Sequence, residues 1–209
     1  MAIGSANTIF KKSGSQGDEW WLTNTEVEGV LATLELWPSF RSSAPLEVII
    51  LGAGGAAASV VWSVRLARPD ASITIVCRNS QKASSFLSTP LAAANFFEIS
   101  EDTFGLVDSS CLRILQNSQL SEASANRLLV NCIPIGNKGE PNPAAESLIV
   151  KLLAPAALQS FFFDLAYGAS HAVNVAAAHN VPHQDGKVML KTQALRCFAI
   201  WKDSAAPRR

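Results

Sequence analysis

Residues 48–59 read VIILGAGGAAAS. An apolar, strand-like run meets Gly52, Gly54 and Gly55 and passes into alanines. Such a turn binds phosphate only in context, with a strand before it, a helix after it, and a second strand closing a βαβ unit. All three are legible: a strand over Glu47–Leu51, a helix over Ala56–Ala67 and a strand over Ser72–Cys77. Read as G-x-G-x-x-A, the motif is Gly52, Gly54 and Ala57. Gly52 permits the tight turn, Gly54 lets backbone approach a pyrophosphate, and small Ala57 lets the helix lie close to the sheet. Unpaired amides at the helix start would hold the anion. The context favours a phosphate cradle over a turn without a ligand.

The pattern continues outward from this unit. Further strands are expected at Phe96–Ile99, Leu128–Cys132 and Phe161–Leu165. Helices are expected at Ser80–Leu87, Ala144–Leu153, Ser170–His179 and Gly186–Trp201, while 100–127 reads ambiguously. Short, continuously apolar strands alternating with helices predict an α/β fold, a Rossmann-like doubly wound parallel sheet with helices on both faces. Upstream, ANTIFKK and EWWLTNT flank a turn-rich connector at 13–18 and predict a β-hairpin. Thr25 is placed to cap a helix through GVLATLEL, with Glu26 and Glu28 in its first turn. PSFRSSAP at 38–45, polar and bounded by prolines, reads as a linker.

Composition excludes several classes. With 17 basic and 17 acidic residues in 209, no long-range field for nucleic acid or an acidic membrane is expected. The uncharged run Val48–Val64 is centred on glycines and falls short of the ~20 apolar residues of a membrane span. The N-terminus lacks the apolar core of a signal peptide. Cys77, Cys111, Cys132 and Cys197 are scattered and read as reduced thiols of a cytoplasmic protein. No metal site is expected, because Pro182 between His179 and His183 breaks a shared helical face.

The strand after the glycine-loop helix ends Cys77-Arg78-Asn79, without the carboxylate that holds an NAD ribose hydroxyl. The forked guanidinium of Arg78 suits a 2′-phosphate, and Lys82 adds a second positive charge. NADP is favoured over NAD. The alternative is a solvated charge pair at a strand end.

These segments resemble, in order and along nearly the whole chain, the shikimate dehydrogenase family. SANTI at 5–9 is similar to the family's A-x-N-T-I, NTEVEG at 24–29 to N-T-D-x-x-G, and LGAGGAAAS at 51–59 to its glycine loop. CRNSQKA at 77–83, NCIPIG at 131–136, DLAY at 164–167 and DGKVMLKTQALRCF at 185–198 continue the match. The resemblance implies that Gly52, Ala53, Gly54, Gly55 and Ala56 line the pyrophosphate, and that Arg78 and Lys82 meet the 2′-phosphate. It places Asn131 and Ile133 beside the cofactor. It turns Asn7, Glu26, Tyr167 and Gln193 toward a shikimate, dehydroshikimate or quinate-like substrate, Glu26 standing at the family's catalytic Asp. It divides the chain into a substrate-domain edge with connecting helix (1–37), an NADP-binding domain (46–185) and a helix returning to the substrate site (186–209).

The departures are specific. The family's N-V-T-x-P-x-K stretch, which carries its catalytic Lys, has no counterpart in these 209 residues, nor has its serine-rich substrate motif. Glu26 is one methylene longer than Asp, the segment after Tyr167 reads GASHA, and Cys77 and Asn79 flank Arg78. The expectation is therefore an NADP-binding portion that binds nucleotide but does not turn over as an isolated chain, a missing N-terminal domain or fusion partner supplying the rest. The alternative is a non-catalytic regulatory relative, such as a quinate-pathway repressor domain, which would be nuclear. A glutamyl-tRNA reductase-like domain is disfavoured by the closing DGKVMLKTQ.

Overall fold

The computed structural model describes residues 5–14, 17–77, 94–98, 126–133, 143–153, 160–168 and 170–205. The expected helix at Ser80–Leu87 and most of the ambiguous 100–127 stretch lie outside them. Six parallel strands form the main sheet: β3 (Leu46–Leu51), β4 (Ser72–Cys77), β5 (Ala94–Glu98), β6 (Asn126–Asn131), β7 (Ser160–Asp164) and β8 (His183–Gln184). Their order is β5-β4-β3-β6-β7-β8. All residues of β3, β6 and β7 are buried, as strands covered on both faces must be.

Alternation along these strands sorts side chains into two layers. Val48, Ile50, Leu128, Val130 and Phe163 pack with Ala57, Val60, Val61 and Val64 of α2 (Gly55–Ala67) and with Val30 and Leu34 of α1 (Glu26–Leu34). Ile49, Leu51, Leu129 and Phe162 face Leu148, Ile149 and Leu152 of α3 (Pro143–Leu153) and Ala172 and Ala176 of α4 (His171–Ala178). The α/β expectation is met, with helices on both faces.

Three local expectations fail for physical reasons. Residues 38–41 form a 3₁₀ turn that buries Phe40, while neighbouring Trp37 stacks on Phe161 at 5.4 Å. Buried Arg68 donates to the carbonyls of Phe40 (3.0 Å) and Ala44 (2.8 Å), so the supposed linker is fastened into the core. Thr25 sits at the helix start in a helical conformation and does not cap it. Its hydroxyl turns instead to Asn7 and Cys197, and the Asn24 side-chain oxygen accepts from the Glu26 amide at 2.9 Å. Strand β8 was not expected at all.

The hairpin β1 (Thr8–Gly14) and β2 (Gly17–Thr23) pairs antiparallel from Thr8↔Thr23 to Gly14↔Gly17. It leans on α5 (Lys187–Ala205), where the Trp201 indole donates to the Ile9 carbonyl at 3.0 Å. Helix α5 also meets α1: a Cβ on Gly29 would stand 2.6 Å from the Met189 carbonyl oxygen. Among the described residues no helix is long and apolar enough to cross a membrane, and no group of three or more His, Cys, Asp or Glu could hold a metal.

Candidate nucleotide crevice at the switch point of the sheet

Numbered from β3, the strand order runs 3-2-1-4-5-6, and connections leave β3 and β6 in opposite directions. The crevice outside the carboxyl ends of those two strands is where such sheets bind ligands. The loop after β3 turns at Gly52 with φ +100°, a conformation costly for any side chain. The Gly52 amide donates to the Val76 carbonyl at 2.8 Å, and a Cβ there would lie 2.7 Å from Ile133 Cγ2. Gly52 is thus wedged between the two lips of the crevice. Gly54, two residues on, differs: it is exposed, precedes α2 without side-chain capping, and a Cβ built on it would meet nothing within 4 Å. The first amides of α2 have no intrahelical acceptor. An anion can approach them across Gly54 with no side chain in the way, so the residues present fit a pyrophosphate.

The other lip is built from Asn131 and Asp164, register partners at the ends of β6 and β7. Both are fully buried. The Asn131 side chain brackets its own loop, accepting from the Ile133 amide at 3.3 Å and donating to the Ile133 carbonyl at 3.1 Å. Its amide nitrogen also donates to Asp164 Oδ1 at 3.0 Å. Asp164 accepts further from the Ala166 amide at 3.0 Å and, through a short bond, from the Ser170 hydroxyl. Burial pushes the Asp164 carboxyl above its ordinary value, against the pull of those donors. The Cys132 thiol is pushed far up by burial and by the carboxylates of Asp164 and Glu26, which leaves it protonated and inert. Tyr167 is exposed, immediately before Gly168, whose φ is also +100°.

A second cluster lies where α1, α2 and the hairpin meet. Glu26 Oε2 accepts from Ser59 Oγ at 2.8 Å, and the buried Ser59 accepts from Asn24 Nδ2 at 3.0 Å. The Ser59 oxygen also lies 3.1 Å from the Gly55 carbonyl, so its single proton serves either Glu26 or the glycine loop. Asn24 Nδ2 also reaches Ser5 Oγ at 2.9 Å. Asn7 Oδ1 is shared by the Thr25 amide (3.0 Å), the Thr25 hydroxyl (3.2 Å) and the Thr8 hydroxyl (2.9 Å). Cys197 of α5 sits on both hydroxyls, at 2.9 Å from Thr8 and 3.2 Å from Thr25. Gln193, one turn earlier on α5, carries a buried Oε1 with no hydrogen-bond partner. Among the described residues Glu26 forms no ion pair; Lys11 pairs with Asp18 and Lys187 with Asp185.

Gly52, Ala53, Gly54, Gly55, Ala56, Asn131 and Ile133 therefore gather around one crevice. Asn7 and Glu26 belong to the hydroxyl-rich cluster beside α2, and Cys197 brings the Gln193 helix to it. Arg78 and Lys82 lie outside the described residues. Sequence reading quoted Ser59 and Asp164 within LGAGGAAAS and DLAY but gave neither a role. Asp164 ends the apolar run SFFFD, and a carboxylate at the C-terminal tip of a buried strand was the available signal. Ser59 had no comparable signal within its alanine run.

No family model matches the chain. The shikimate dehydrogenase (NADP(+)) of Afipia carboxidovorans is 27% identical over 202 residues, spanning 96% of this chain and 62% of that protein. The corresponding protein of a Synechocystis strain is 30% identical over 212 residues, spanning 98% of this chain and 64% of its own length. The chain thus spans less than two thirds of the length of either relative. Among solved structures, a shikimate dehydrogenase in complex with NADP+ superposes with a TM-score of 0.64 at 21% identity, over 96% of this chain and 62% of that one.

Proposed function

We propose, for a chain that belongs to the shikimate dehydrogenase family, that it binds NADP(H) in the crevice between β3 and β6 and is the nucleotide-binding portion of a shikimate dehydrogenase-like protein. The observation that carries this reading is the uncapped, unobstructed start of α2 at Gly54, opposite Asn131 and Ile133. The names of the relatives support NADP as the nucleotide, and the guanidinium of Arg78 supports it by charge. In this reading residues 46–185 form the nucleotide domain, 1–37 the edge of a substrate domain, and 186–209 the helix returning to the substrate, in a cytoplasmic protein.

The family reaction interconverts 3-dehydroshikimate and shikimate, with bound NADPH supplying the hydride. This chain's own residues divide the remaining work. The α2 amides and Gly52–Gly55 hold the pyrophosphate. Asn131 and Ile133 border the nicotinamide, and Asn7, Glu26, Tyr167 and Gln193 face the hydroxyls of a shikimate- or quinate-like ring. A proton must be exchanged at the same oxygen that the hydride reaction changes. Glu26 has no lysine beside it among the described side chains, those of Lys82, Lys138 and Lys151 lying outside them, and its carboxylate is held by Ser59. The isolated 209-residue chain therefore binds nucleotide without turnover.

Titration with NADPH and then NADH, followed by tryptophan fluorescence, tests the reading. Saturable binding that favours NADPH and weakens in Arg78→Ala is expected, with no NADPH oxidation on adding dehydroshikimate. A folded chain that binds neither nucleotide overturns the nucleotide site, and oxidation above a no-protein control overturns the inactivity. The Glu26–Ser59 bond favours a second reading, a regulatory relative in which Glu26 is a fastening rather than an acid. Failure of nucleotide binding would bring that reading first.

A further inference from the structure

The buried carboxylate of Asp164 touches neither the glycine loop nor any residue given a role above except Asn131, yet two arms of the β6–β7 lip end on it. One arm runs from Asp164 Oδ1 to Asn131 Nδ2, then through both polar atoms of that side chain to the backbone of Ile133. Ile133 Cγ2 in turn fills the space beside Gly52. The other arm runs to the Ala166 amide and to Ser170, which caps α4 by accepting from the Val173 amide at 3.3 Å. Tyr167 and Gly168 hang between those two attachments. The loop is pinned again behind, where the Gly186 amide donates to the Ala166 carbonyl at 2.8 Å and a Cβ on Gly186 would overlap the Leu165 carbonyl.

We propose that Asp164 is a positioning residue for the nicotinamide half of the bound dinucleotide, holding the Asn131–Ile133 loop and the Tyr167 loop in register with each other; this rests on the nucleotide-binding reading of the crevice. The assignment to that half follows from topology. In a 3-2-1-4-5-6 sheet the first three strands carry the adenosine side and the others the nicotinamide side, and Asp164 ends the second strand of the latter half. The carboxylate form suits the task because it only accepts, and three donors converge on it. An amide in its place keeps its oxygen for Asn131 and Ala166 but turns an N–H toward Ser170, whose hydroxyl must reverse from donating to accepting, so the charged hydrogen bond of that arm becomes a neutral one.

The test separates the two halves of the ligand. Affinity for NADPH is compared with affinity for 2′-phospho-ADP-ribose, which lacks the nicotinamide, in the wild-type chain and in Asp164→Asn. Exchanging one buried charged hydrogen bond for a neutral one predicts about fivefold weaker NADPH binding, with the fragment unchanged within about twofold. Equal weakening of both ligands, as a merely loosened fold would produce, overturns the proposal, and so does unchanged NADPH binding. Should Asp164→Asn fail to fold, Ser170→Ala leaves two donors on the carboxylate and should show the same selective loss at about threefold. An unaltered ratio of the two affinities in that variant overturns the proposal. A wild-type chain that binds neither ligand instead brings down the nucleotide site itself, and the positioning role with it.

Discussion

Alanine at position 54 should leave the fold alone and damage only the ligand site. Gly54 has φ −91° and ψ −170°, a conformation open to any L-residue, and its Cβ would find empty space. Alanine is a poorer helix cap than glycine by about 0.5–1 kcal/mol. It recovers about 0.4–1 kcal/mol by restricting the unfolded chain. The two nearly cancel, so the melting temperature should move by no more than about 3 °C. The ligand meets a different balance. A methyl at the mouth of the α2 amides displaces an anion by about 1 Å, enough to break one charge-assisted hydrogen bond of about 1.5–3 kcal/mol. NADPH affinity should therefore fall by about 10- to 100-fold. Gly52→Ala, two residues earlier, reverses the pattern. Its φ of +100° and the 2.7 Å approach to Ile133 Cγ2 should cost about 2 kcal/mol or more of stability. Thermal melts and tryptophan-fluorescence titrations of both variants read the two effects separately. A Gly54→Ala chain that binds NADPH as the wild type does would refute the geometry assigned to the crevice.

A double-mutant cycle of Glu26→Gln and Ser59→Ala, read by urea unfolding, should give a coupling of about 1 kcal/mol or more, as expected of a partly buried charged hydrogen bond; additive losses would show that the two side chains act independently. Asp164 gives a pH signature. Its folded value is raised by burial above the unfolded value of about 3.9, so the stability it lends is full below about pH 4 and is lost as pH rises through the folded value. Wild-type unfolding free energy should therefore fall relative to Asp164→Asn as pH rises above about 4, and a difference that stays flat would contradict the burial argument.

The parts of this fold that were legible share one property: their pattern is local. VIIL, LLV and FFF are continuous apolar runs, and strands buried on both faces use them that way. GAGG announced its turn because the glycines and the flanking elements are adjacent in sequence. What was misread depends on distant partners. The polarity of 38–45 suggested a linker, but Arg68 supplies the donors that fasten its backbone. Thr25 has the chemistry of a cap, and Asn7, eighteen residues upstream, takes its hydroxyl. Strand β8 is two residues long and is defined by pairing to β7 alone, which no side-chain period can reveal. The residues around the crevice could be named from motifs, whereas the bond from Ser59 to Glu26 and the three donors on Asp164 exist only once the sheet has assembled.

The contact between Thr8 and Cys197 joins residues 189 apart in the chain. A growing polypeptide emerges N-terminus first, at roughly 5–20 residues per second. The hairpin thus precedes every strand of the sheet in the chain and finds its support late, because the helix bearing Cys197 and Trp201 follows the last of those strands. Strands β3 and β4 with the helix between them can form their neighbouring contacts as they appear, but the hairpin must wait for α5 before the bonds from Trp201 to Ile9 and between Thr8 and Cys197 can form. Closing so long a loop raises contact order and slows the final docking step. A ribosome-bound chain halted before residue 187 should hold an ordered sheet and an undocked hairpin, making that interval the point of greatest exposure to chaperones and proteases.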